Sequence, residues 1–438
     1  MSDLSTDTLL PDSTRKPLQL DGYRELQLPD STRKPQQQDG YRELQQPDST
    51  RNTQQIDGYR DPQLVARLLQ RIEQLTERIK ASQATKLPAV QPATHPSTLR
   101  LMEVCGTHTM AIARYGLRSL LPPEIKLLSG PGCPVCVTAN SDIDRIIALT
   151  RIDRLTVAIF GDMLRVPGSS TSLAERRAAG ASVEVVYSPL DALQFAKEHP
   201  EQQVVFIAVG FETTAPIIAQ TLLRAAEQRL ANFSLLSALK QVPPALAALL
   251  QDPRLALDGL ILPGHVSTIL GLQAYQFIAT DYQMPAVVTG FEPVDILAGI
   301  TALLEQVNAK QEGQVVAIGN AYHRAVRENG NPEAQSSIQQ VFASQDSVWR
   351  GLGLIPQSGL ALRPEYRDYD AEQRFQLDVE PTVEPRGCRC GDVLRGIITP
   401  PECPHFGISC TPSQPLGACM VSSEGSCAAY YRYGIQFA

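Results

Sequence analysis

The chain has 438 residues, a formal net charge of −7 and 43% hydrophobic residues, which is enough apolar content for a sizeable core. The acidic balance and the lack of a basic block argue against nucleic acid as a partner. Charges, glycines and prolines interrupt the apolar stretches well before the roughly 18 to 20 residues that a bilayer crossing requires. No secretory-type segment opens the sequence, so we expect a cytoplasmic protein that does not span a membrane.

An 18-residue unit is repeated three times near the N-terminus. Asp-Ser-Thr-Arg begins at residues 12, 30 and 48, and Asp-Gly-Tyr-Arg begins at residues 21, 39 and 57. The units are rich in Gln, Asp, Arg and Pro, and are too polar to offset the entropy of ordering by stacking on one another. We therefore predict a disordered extension over residues 1–60, with partner binding as the alternative.

After Asp61 the pattern becomes that of an amphipathic helix. Leucine and isoleucine recur at helical spacing at positions 64, 68, 69, 72, 75 and 79. A proline-containing linker follows at residues 88–98. We predict that region 61–98, made of this helix and linker, begins the folded part.

Between residues 99 and 380, short Val, Ile and Leu runs alternate with longer helical patterns, which is typical of parallel strands joined by crossover helices. The pattern predicts strands at 157–160, 183–187, 204–209, 259–262, 286–288 and 315–318. It predicts helices at 190–198, 216–231, 266–278 and 294–309. Because this length exceeds one comfortable core, we predict an α/β fold of two similar parallel-sheet lobes, 99–240 and 241–380, with a cleft between them.

Glycine and polar residues follow four of the predicted strands. The polar residues are Asp162, Glu212, Thr213, His265 and Glu292. In open α/β sheets, ligands bind outside the carboxyl ends of the strands, so these side chains are candidates for a shared cleft. The alternative is that each one caps the next helix. The dinucleotide glycine pattern and the Walker lysine are both missing, so NAD and ATP are not indicated.

The nine cysteines fall into two groups. Cys105-Gly-Thr-His108 and Gly130-Pro-Gly-Cys-Pro-Val-Cys136 lie early, and the other six follow residue 387. The odd count and the length of the chain argue against a disulfide framework. Cys133 and Cys136 are candidates for redox chemistry, or for a zinc site completed by Cys105 and His108.

The C-terminal region 381–438 holds Cys388, Cys390, Cys403, Cys410, Cys419 and Cys427 among glycines and prolines. Such a segment builds little core and usually requires a staple. Four thiolates can hold zinc or a 4Fe-4S cluster. Structural zinc usually takes two tight cysteine pairs, and only Cys388 and Cys390 are that close, so the spacing favours a cluster over zinc or free core cysteines.

Four motifs, in the same order, resemble the HypD family, which matures NiFe hydrogenases. They are Cys105–His108, Gly130–Cys136, Gly210–Thr214 and the ending Cys419–Tyr431. The resemblance extends from about residue 57 to the C-terminus and leaves out the N-terminal repeats.

The resemblance implies two α/β lobes and a smaller domain that carries a 4Fe-4S cluster. It also implies a scaffold on which iron acquires two cyanides and one carbon monoxide. The scaffold would work with the chaperone HypC and with HypE, which carries cyanide as a C-terminal thiocyanate. The finished unit then passes to the hydrogenase large subunit. Because the product stays bound until it is handed on, we expect a maturation scaffold rather than an enzyme of multiple turnover.

The resemblance also implies roles for particular residues. Cys105 would hold the iron transiently, and Cys133 and Cys136 would be the redox-active pair. The cluster ligands would be Cys403, Cys410 and Cys427, with Cys388 or Cys390 as the fourth. Cys419 does not fit the spacing, and we expect it to be a bystander.

Other assignments stay open. His108 either ligates the iron, starts a helix by hydrogen bonding, or lowers the Cys105 pKa as an imidazolium. Thr107 is a further candidate for the cleft. Two competing functions are a free-standing iron-sulfur thiol/disulfide reductase and a structural zinc protein that only binds partners.

Overall fold

The computed structural model describes residues 62–86 and 98–434. The extension predicted over residues 1–60, and the linker predicted at 88–98 apart from its last residue, lie outside these ranges and stay predictions. Within the described ranges, no helix combines the length and the apolar character needed to cross a bilayer.

The first described helix, α1 (Pro62–Lys86), confirms the amphipathic pattern. Val65 and Ile79 are fully buried, whereas Leu64 is 37% exposed and lies beside the buried stripe. The stripe packs against a second long helix, Pro293–Gln311. Each fully buried aliphatic side chain contributes roughly 1.5 to 3 kcal/mol, so this contact is a substantial part of the local stability.

The strands of the described residues are β1 (Leu99–Glu103), β2 (Ile125–Ser129), β3 (Leu155–Phe160), β4 (Val183–Val186), β5 (Gln203–Gly210), β6 (Phe233–Leu239), β7 (Gly259–Pro263), β8 (Ala286–Thr289), β9 (Ile318–Asn320), β10 (Phe342–Trp349) and β11 (Gly353–Leu362). They form a five-stranded sheet in the order β2-β1-β7-β8-β9, a four-stranded sheet in the order β4-β3-β5-β6, and the hairpin β10-β11. Every strand pair in the two larger sheets is parallel. The predicted α/β class with parallel sheets is therefore confirmed.

After α1, the α-helices of the described residues are α2 (Gly106–Arg114), α3 (Leu117–Leu120), α4 (Pro134–Val137), α5 (Asn140–Leu149), α6 (Leu173–Ala178), α7 (Pro189–Glu198), α8 (Ala215–Glu227), α9 (Val242–Leu250), α10 (Gly264–Leu270), α11 (Gln276–Thr280), α12 (Pro293–Gln311), α13 (Pro332–Val341), α14 (Ala371–Arg374), α15 (Cys390–Leu394), α16 (Ala418–Val421) and α17 (Ser426–Tyr433). Short 3-10 helices occur at Gly161–Met163, Gln273–Tyr275, Pro364–Tyr369 and Pro400–Glu402.

Five of the six predicted strands coincide with β3, β4, β5, β7 and β8. The strand predicted at 315–318 begins only at Ile318, and Val315 is 85% exposed. The helix predicted at 266–278 is interrupted at Gly271, whose φ of 78° is incompatible with a continuing right-handed helix. The helix predicted at 216–231 ends at Glu227, and Arg229 has a φ of 51°.

The two sheets do not follow the predicted ranges 99–240 and 241–380. Strands β1 and β2 precede the four-stranded sheet in the chain, yet β1 pairs with β7, which follows that sheet. Glu103 is opposite Ser129 on one side and Ile261 on the other. Parallel pairing depends on tertiary contact and not on nearness in sequence, so a boundary at residue 240 does not separate the sheets.

The cysteine-rich segment after residue 387 has only short helices and turns. Its buried Cys410, Cys419 and Cys427 belong to the same hydrophobic cluster as Cys133 and Cys136. Helix α17 packs on α2, and α16 packs on α4. The C-terminal cysteines are therefore brought to the ends of β1 and β2, where the early cysteine motifs lie.

Candidate thiol and cofactor site

The two early cysteine motifs follow neighbouring strands, β1 and β2, and their backbones touch. Gly106 N donates a hydrogen bond to Gly132 O at 2.9 Å. A Cβ atom on Gly132 would lie 2.1 Å from Cys105 N, so no other residue fits there without a shift of the backbone. Glycine at positions 130 and 132, before Cys133, is thus required by the close approach of the two motifs.

Cys105 lies at the N-cap position of α2 and is buried. Burial, followed by the nearby Glu424 carboxylate, raises the pKa of the Cys105 thiol to about 12, although the backbone N–H groups of His108 and Thr107 act in the opposite direction. The thiol is therefore protonated near neutral pH. Because a metal ion binds the thiolate, iron binding at this sulfur would release the proton.

Cys133 and Cys136 form a close pair around the short helix α4. Their Sγ atoms are 2.7 Å apart, and Cys136 N donates to Cys133 Sγ at 3.3 Å. Burial and the neighbouring Cys133 and Cys419 thiols raise the pKa of Cys136. The two sulfurs have the proximity that a reversible dithiol/disulfide couple requires.

The loop between α16 and α17, residues 422–425, closes over both early motifs. Cys133 Sγ donates to Ser422 Oγ at 3.3 Å, and Thr107 Oγ1 donates to Glu424 Oε1 at 2.7 Å. Ser423 Oγ donates to Asp162 Oδ2 at 3.0 Å. Residues that are distant in the sequence thus surround one site, where Thr107 and Asp162 both contact the same loop.

A cleft of about 420 Å³ opens beside Cys133. Its lining includes Asp162 and Tyr187 from the carboxyl ends of β3 and β4, Thr214 from beyond β5, and Glu424 from the C-terminal loop. Tyr187 is 93% exposed at this cleft. Because Cys133 follows β2, residues after strands of both sheets line the same opening. Ligands of parallel sheets commonly bind beyond the carboxyl ends of the strands.

His108 does not act as an imidazolium. Its ring is fully buried, Nε2 donates to Gly290 O at 2.9 Å and lies 2.8 Å from Thr289 Oγ1. Burial lowers the pKa of His108 to about 4, so the ring is neutral near pH 7. The prediction that its positive charge lowers the Cys105 pKa is wrong, and the backbone N–H of His108 has that effect instead.

His265, on α10, packs on Phe291, with ring centroids 3.9 Å apart. Phe291 also contacts the His108 ring, with centroids 4.6 Å apart. Burial lowers the pKa of His265. The structure thus groups His265 with His108 through Phe291, at the carboxyl ends of β7 and β8.

The other predicted cleft residues have separate surroundings. Glu212 is buried, and its Oε1 accepts from Val242 N, at the first turn of α9, at 2.9 Å. Burial raises the pKa of Glu212 to about 7, and its Oε2 has no hydrogen-bond partner within the described residues. Thr213 is exposed, and so is Glu292, which is the N-cap residue of α12. Capping therefore accounts for Glu292, and Glu212 caps a helix other than the one that follows it.

All six C-terminal cysteines line one pocket. A Cβ atom on Gly417 would lie 3.1 Å from Cys388 Sγ and 3.8 Å from Cys390 Sγ, so this glycine leaves room beside both sulfurs. Cys410 Sγ accepts a hydrogen bond from Leu416 N at 3.4 Å. Backbone N–H groups directed at cysteine sulfurs are one of the means by which proteins tune iron-sulfur clusters.

The six-cysteine pocket supplies enough thiolates for a zinc ion or for a 4Fe-4S cluster. Among residues 62–86 and 98–434, no three His, Cys, Asp or Glu side chains are placed to hold one metal ion. Zinc keeps its sulfur ligands at about 2.3 Å, which draws them close together, whereas a cluster spreads four cysteines around several irons.

Cys419 lies between the two groups of cysteines. Hydrogen bonds from the Cys136 and Cys390 thiols lower the pKa of Cys419 to about 7. Cys390 interacts in turn with Cys388. The expectation that Cys419 is a bystander to the cluster stays a prediction. Spacing along the chain does not reveal that α16 packs on α4, which brings Cys419 toward Cys136.

Sequence reasoning missed Glu103, at the end of β1. It is fully buried, accepts from Cys105 N at 3.1 Å and accepts from Thr109 Oγ1 at 2.5 Å. Burial raises the pKa of Glu103 to about 7. The available signal was a carboxylate directly after the apolar pair Leu101-Met102, two residues before a candidate cysteine.

Comparison with known proteins agrees with the four motifs. The family model described as HypD, hydrogenase formation hypA family, matches residues 72–434. The chain belongs to the HypD family. It is 45% identical over 379 residues to the hydrogenase maturation factor HypD of Rhodobacter capsulatus, covering 85% of this chain and 96% of that protein. It is 43% identical over 368 residues to the Escherichia coli (strain K12) factor of the same name, covering 84% of this chain and 95% of that protein.

Proposed function

We propose that this chain acts in hydrogenase maturation as the scaffold on which one iron atom acquires two cyanides and one carbon monoxide. A HypC-type chaperone shares the iron, a HypE-type protein delivers cyanide as a thiocyanate, and the hydrogenase large subunit receives the finished unit. The observation that carries the proposal is the junction of Cys105, the Cys133–Cys136 pair and the six-cysteine pocket through residues 419–425.

Cys105 is the proposed iron-holding residue. Two backbone N–H groups at the start of α2 favour its thiolate, so the sulfur is prepared to bind a cation once the proton leaves. Negative charge on Glu424 and Glu103 disfavours the free Cys105 thiolate. The same charge favours a cation bound at this sulfur. The iron is cargo, and the protein supplies its sulfur ligand and the surrounding charge.

The Cys133–Cys136 pair supplies the electrons for cyanide release. Reductive cleavage of a thiocyanate breaks its S–C bond, takes two electrons and two protons, and gives a thiol and hydrogen cyanide. Oxidation of two thiols to a disulfide provides the two electrons and two protons. The close sulfurs and the adjoining 420 Å³ cleft support this assignment.

The six-cysteine pocket is the proposed site of the 4Fe-4S cluster, with Cys403, Cys410 and Cys427 as three ligands. Cys390 contacts Cys419, which leaves Cys388 as the better candidate for the fourth ligand. Such a cluster supplies single electrons from an outside donor. Cys419 and Cys390 provide the path of sulfur contacts toward Cys136. Because the chemistry needs reduced thiols, a reducing compartment such as the cytoplasm suits the protein.

The proposal is tested by purifying the full chain with a HypC-type partner under anaerobic conditions. We expect cyanide and carbonyl stretching bands in the infrared and about five irons per complex, four in the cluster and one mononuclear. About four irons without those bands would favour a free-standing iron-sulfur thiol/disulfide reductase, which the sulfur contacts from Cys133 to Cys390 would also serve. Zinc in place of iron would favour a structural binding protein.

A further inference from the structure

Arg350 is a buried cation with two uncommitted nitrogen atoms. It is 2% exposed, its Nε donates to Thr138 O at 2.9 Å, and its backbone N donates to Val137 O at 2.8 Å. Nη1 and Nη2 are buried, and neither has a hydrogen-bond partner in the described part of the chain. Buried guanidinium groups are normally paired, so these donors indicate a missing acceptor.

The backbone contacts of Arg350 place it beside the Cys-x-x-Cys motif. Val137 and Thr138 directly follow Cys136, and Thr138 forms an isolated antiparallel bridge with Trp349. Arg350 thus fixes the end of α4 through one backbone and one side-chain hydrogen bond.

The turn after Arg350 also contacts the helix that begins at Cys390. A Cβ atom on Gly351 would lie 2.3 Å from Gly391 Cα, so these backbones are in close contact. Arg395 donates to Gly351 O from the same side. Cys388 and Cys390 lie at the start of that helix, so the Arg350–Gly351 turn and these two cysteines belong to segments in direct contact.

In the part of the chain that the structure describes, no carboxylate pairs with Arg350. The salt bridges found in residues 62–86 and 98–434 involve other cations. The nearby buried Asp142 pairs with Lys240 at 3.0 Å and with Arg145. The segment that the Arg350–Gly351 turn contacts holds Cys388 and Cys390, whose sulfurs are therefore candidate acceptors.

We infer that Arg350 is a positioning residue for the proposed cluster, with its Nη1 and Nη2 groups donating to the sulfurs of Cys388, the proposed fourth ligand, and of the neighbouring Cys390. This inference rests on the proposed function. Positive charge and hydrogen bonds at the sulfurs stabilise the reduced, more negative state of such a centre and raise its reduction potential. The planar guanidinium suits this task because it provides several donors and keeps its charge.

The test uses the full chain, purified anaerobically with its iron. A redox titration monitored by electron paramagnetic resonance measures the reduction potential of the cluster. We expect the Arg350→Met variant to bind iron, and we expect its cluster to have a lower reduction potential. At the wild-type midpoint potential, the ratio of reduced to oxidised cluster should fall about tenfold, which corresponds to a shift of ~59 mV for one electron. Arg350→Lys retains the charge and should remain nearer the wild-type potential.

Arg389→Met is the matched control. Arg389 lies between the two cysteines in sequence, but its side chain is 43% exposed and paired with Asp392 at 2.9 Å. Solvent screens that charge, so we expect little change in potential. If Arg350→Met does not fold, Arg350→Gln serves as the neutral variant.

A neutral variant whose cluster has the same midpoint potential as the wild-type cluster would overturn the inference. So would Arg350→Lys shifting as far as the neutral variant, because the effect would then not follow the charge. If the wild-type protein contains no iron-sulfur cluster, the proposed function fails, and the failure is distinguishable because it precedes any comparison of variants.

Discussion

The two cysteine regions of this molecule are positioned by different kinds of structure. Cys105 and Cys133 follow the paired strands β1 and β2, whose register and burial are fixed by the five-stranded sheet. The cysteines after residue 387 lie on one- or two-turn helices and on loops. Packing alone can therefore hold the first region, whereas we expect the second to depend on a bound group for much of its stability.

The largest expected effect comes from removing a proposed cluster ligand. Cys410→Ala should lose the iron and much of the soluble protein, because ligand binding in this segment contributes folding free energy. Iron content and the soluble fraction measure this. Cys105→Ala is the matched variant and should retain both the fold and the cluster. Equal loss of iron in the two variants would show that the regions do not differ in this way.

The buried carboxylate in the sheet region gives a pH dependence. The pKa of Glu103 rises from 4.5 to about 7, so between these values the folded protein keeps a proton that the unfolded chain has lost. The free energy of unfolding therefore falls as pH rises through this interval, by at most about 3 kcal/mol from this residue.

Denaturant unfolding at several pH values tests this effect. In Glu103→Gln, the free energy of unfolding should decrease less as pH rises. Glu212, whose pKa is also raised to about 7, should account for a further part of the decrease seen in the wild type. Glu73→Gln, on the exposed face of α1, is the control and should keep the wild-type profile. A Glu103→Gln profile parallel to that of the wild type would contradict the assignment.

The close approach of the two early motifs can be broken directly. Gly132→Ala should lower the free energy of unfolding by about 2 kcal/mol, since the added Cβ would meet Cys105 N at 2.1 Å. Gly161→Ala is the control, because its Cβ would meet nothing nearer than Val185 Cγ1 at 3.5 Å. Similar unfolding midpoints for the two variants would mean that the backbone contact is not rigid.

The connection between the regions is tested at Cys419. Cys419→Ala should keep the iron but slow reduction of an oxidised Cys133–Cys136 pair by a low-potential one-electron donor about tenfold, equivalent to ~1.4 kcal/mol in the barrier. Thiol labelling over time measures the rate, and Ser413→Ala, in the same segment, should match the wild type. An unchanged reduction rate in Cys419→Ala would show that Cys419 does not connect the two cysteine regions.

Local patterns were enough for the elements that carry a strong signal. The apolar stripe of α1 is predicted because its side chains meet the core at the helical period. Strands β3 and β5 are predicted because they are short, nearly continuous apolar runs that are buried on both faces. The hairpin β10-β11 is not predicted, because its strands are partly exposed and contain Gln, Ser, Gly and Pro. The break at Gly271 is not predicted either, because the spacing of apolar residues carries no information about the backbone angle φ.

By itself, the sequence determined the α/β class, the family, and the Cys-Gly-Thr-His and Cys-x-x-Cys motifs as parts of a candidate site. Only the tertiary structure decided that Thr107 meets Glu424, that Cys419 approaches Cys136 and Cys390, and that Arg350 is buried against Val137 and Thr138. Motifs depend on neighbouring residues and can be read along the chain. Contacts across hundreds of residues depend on how sheets and helices pack, which spacing does not specify.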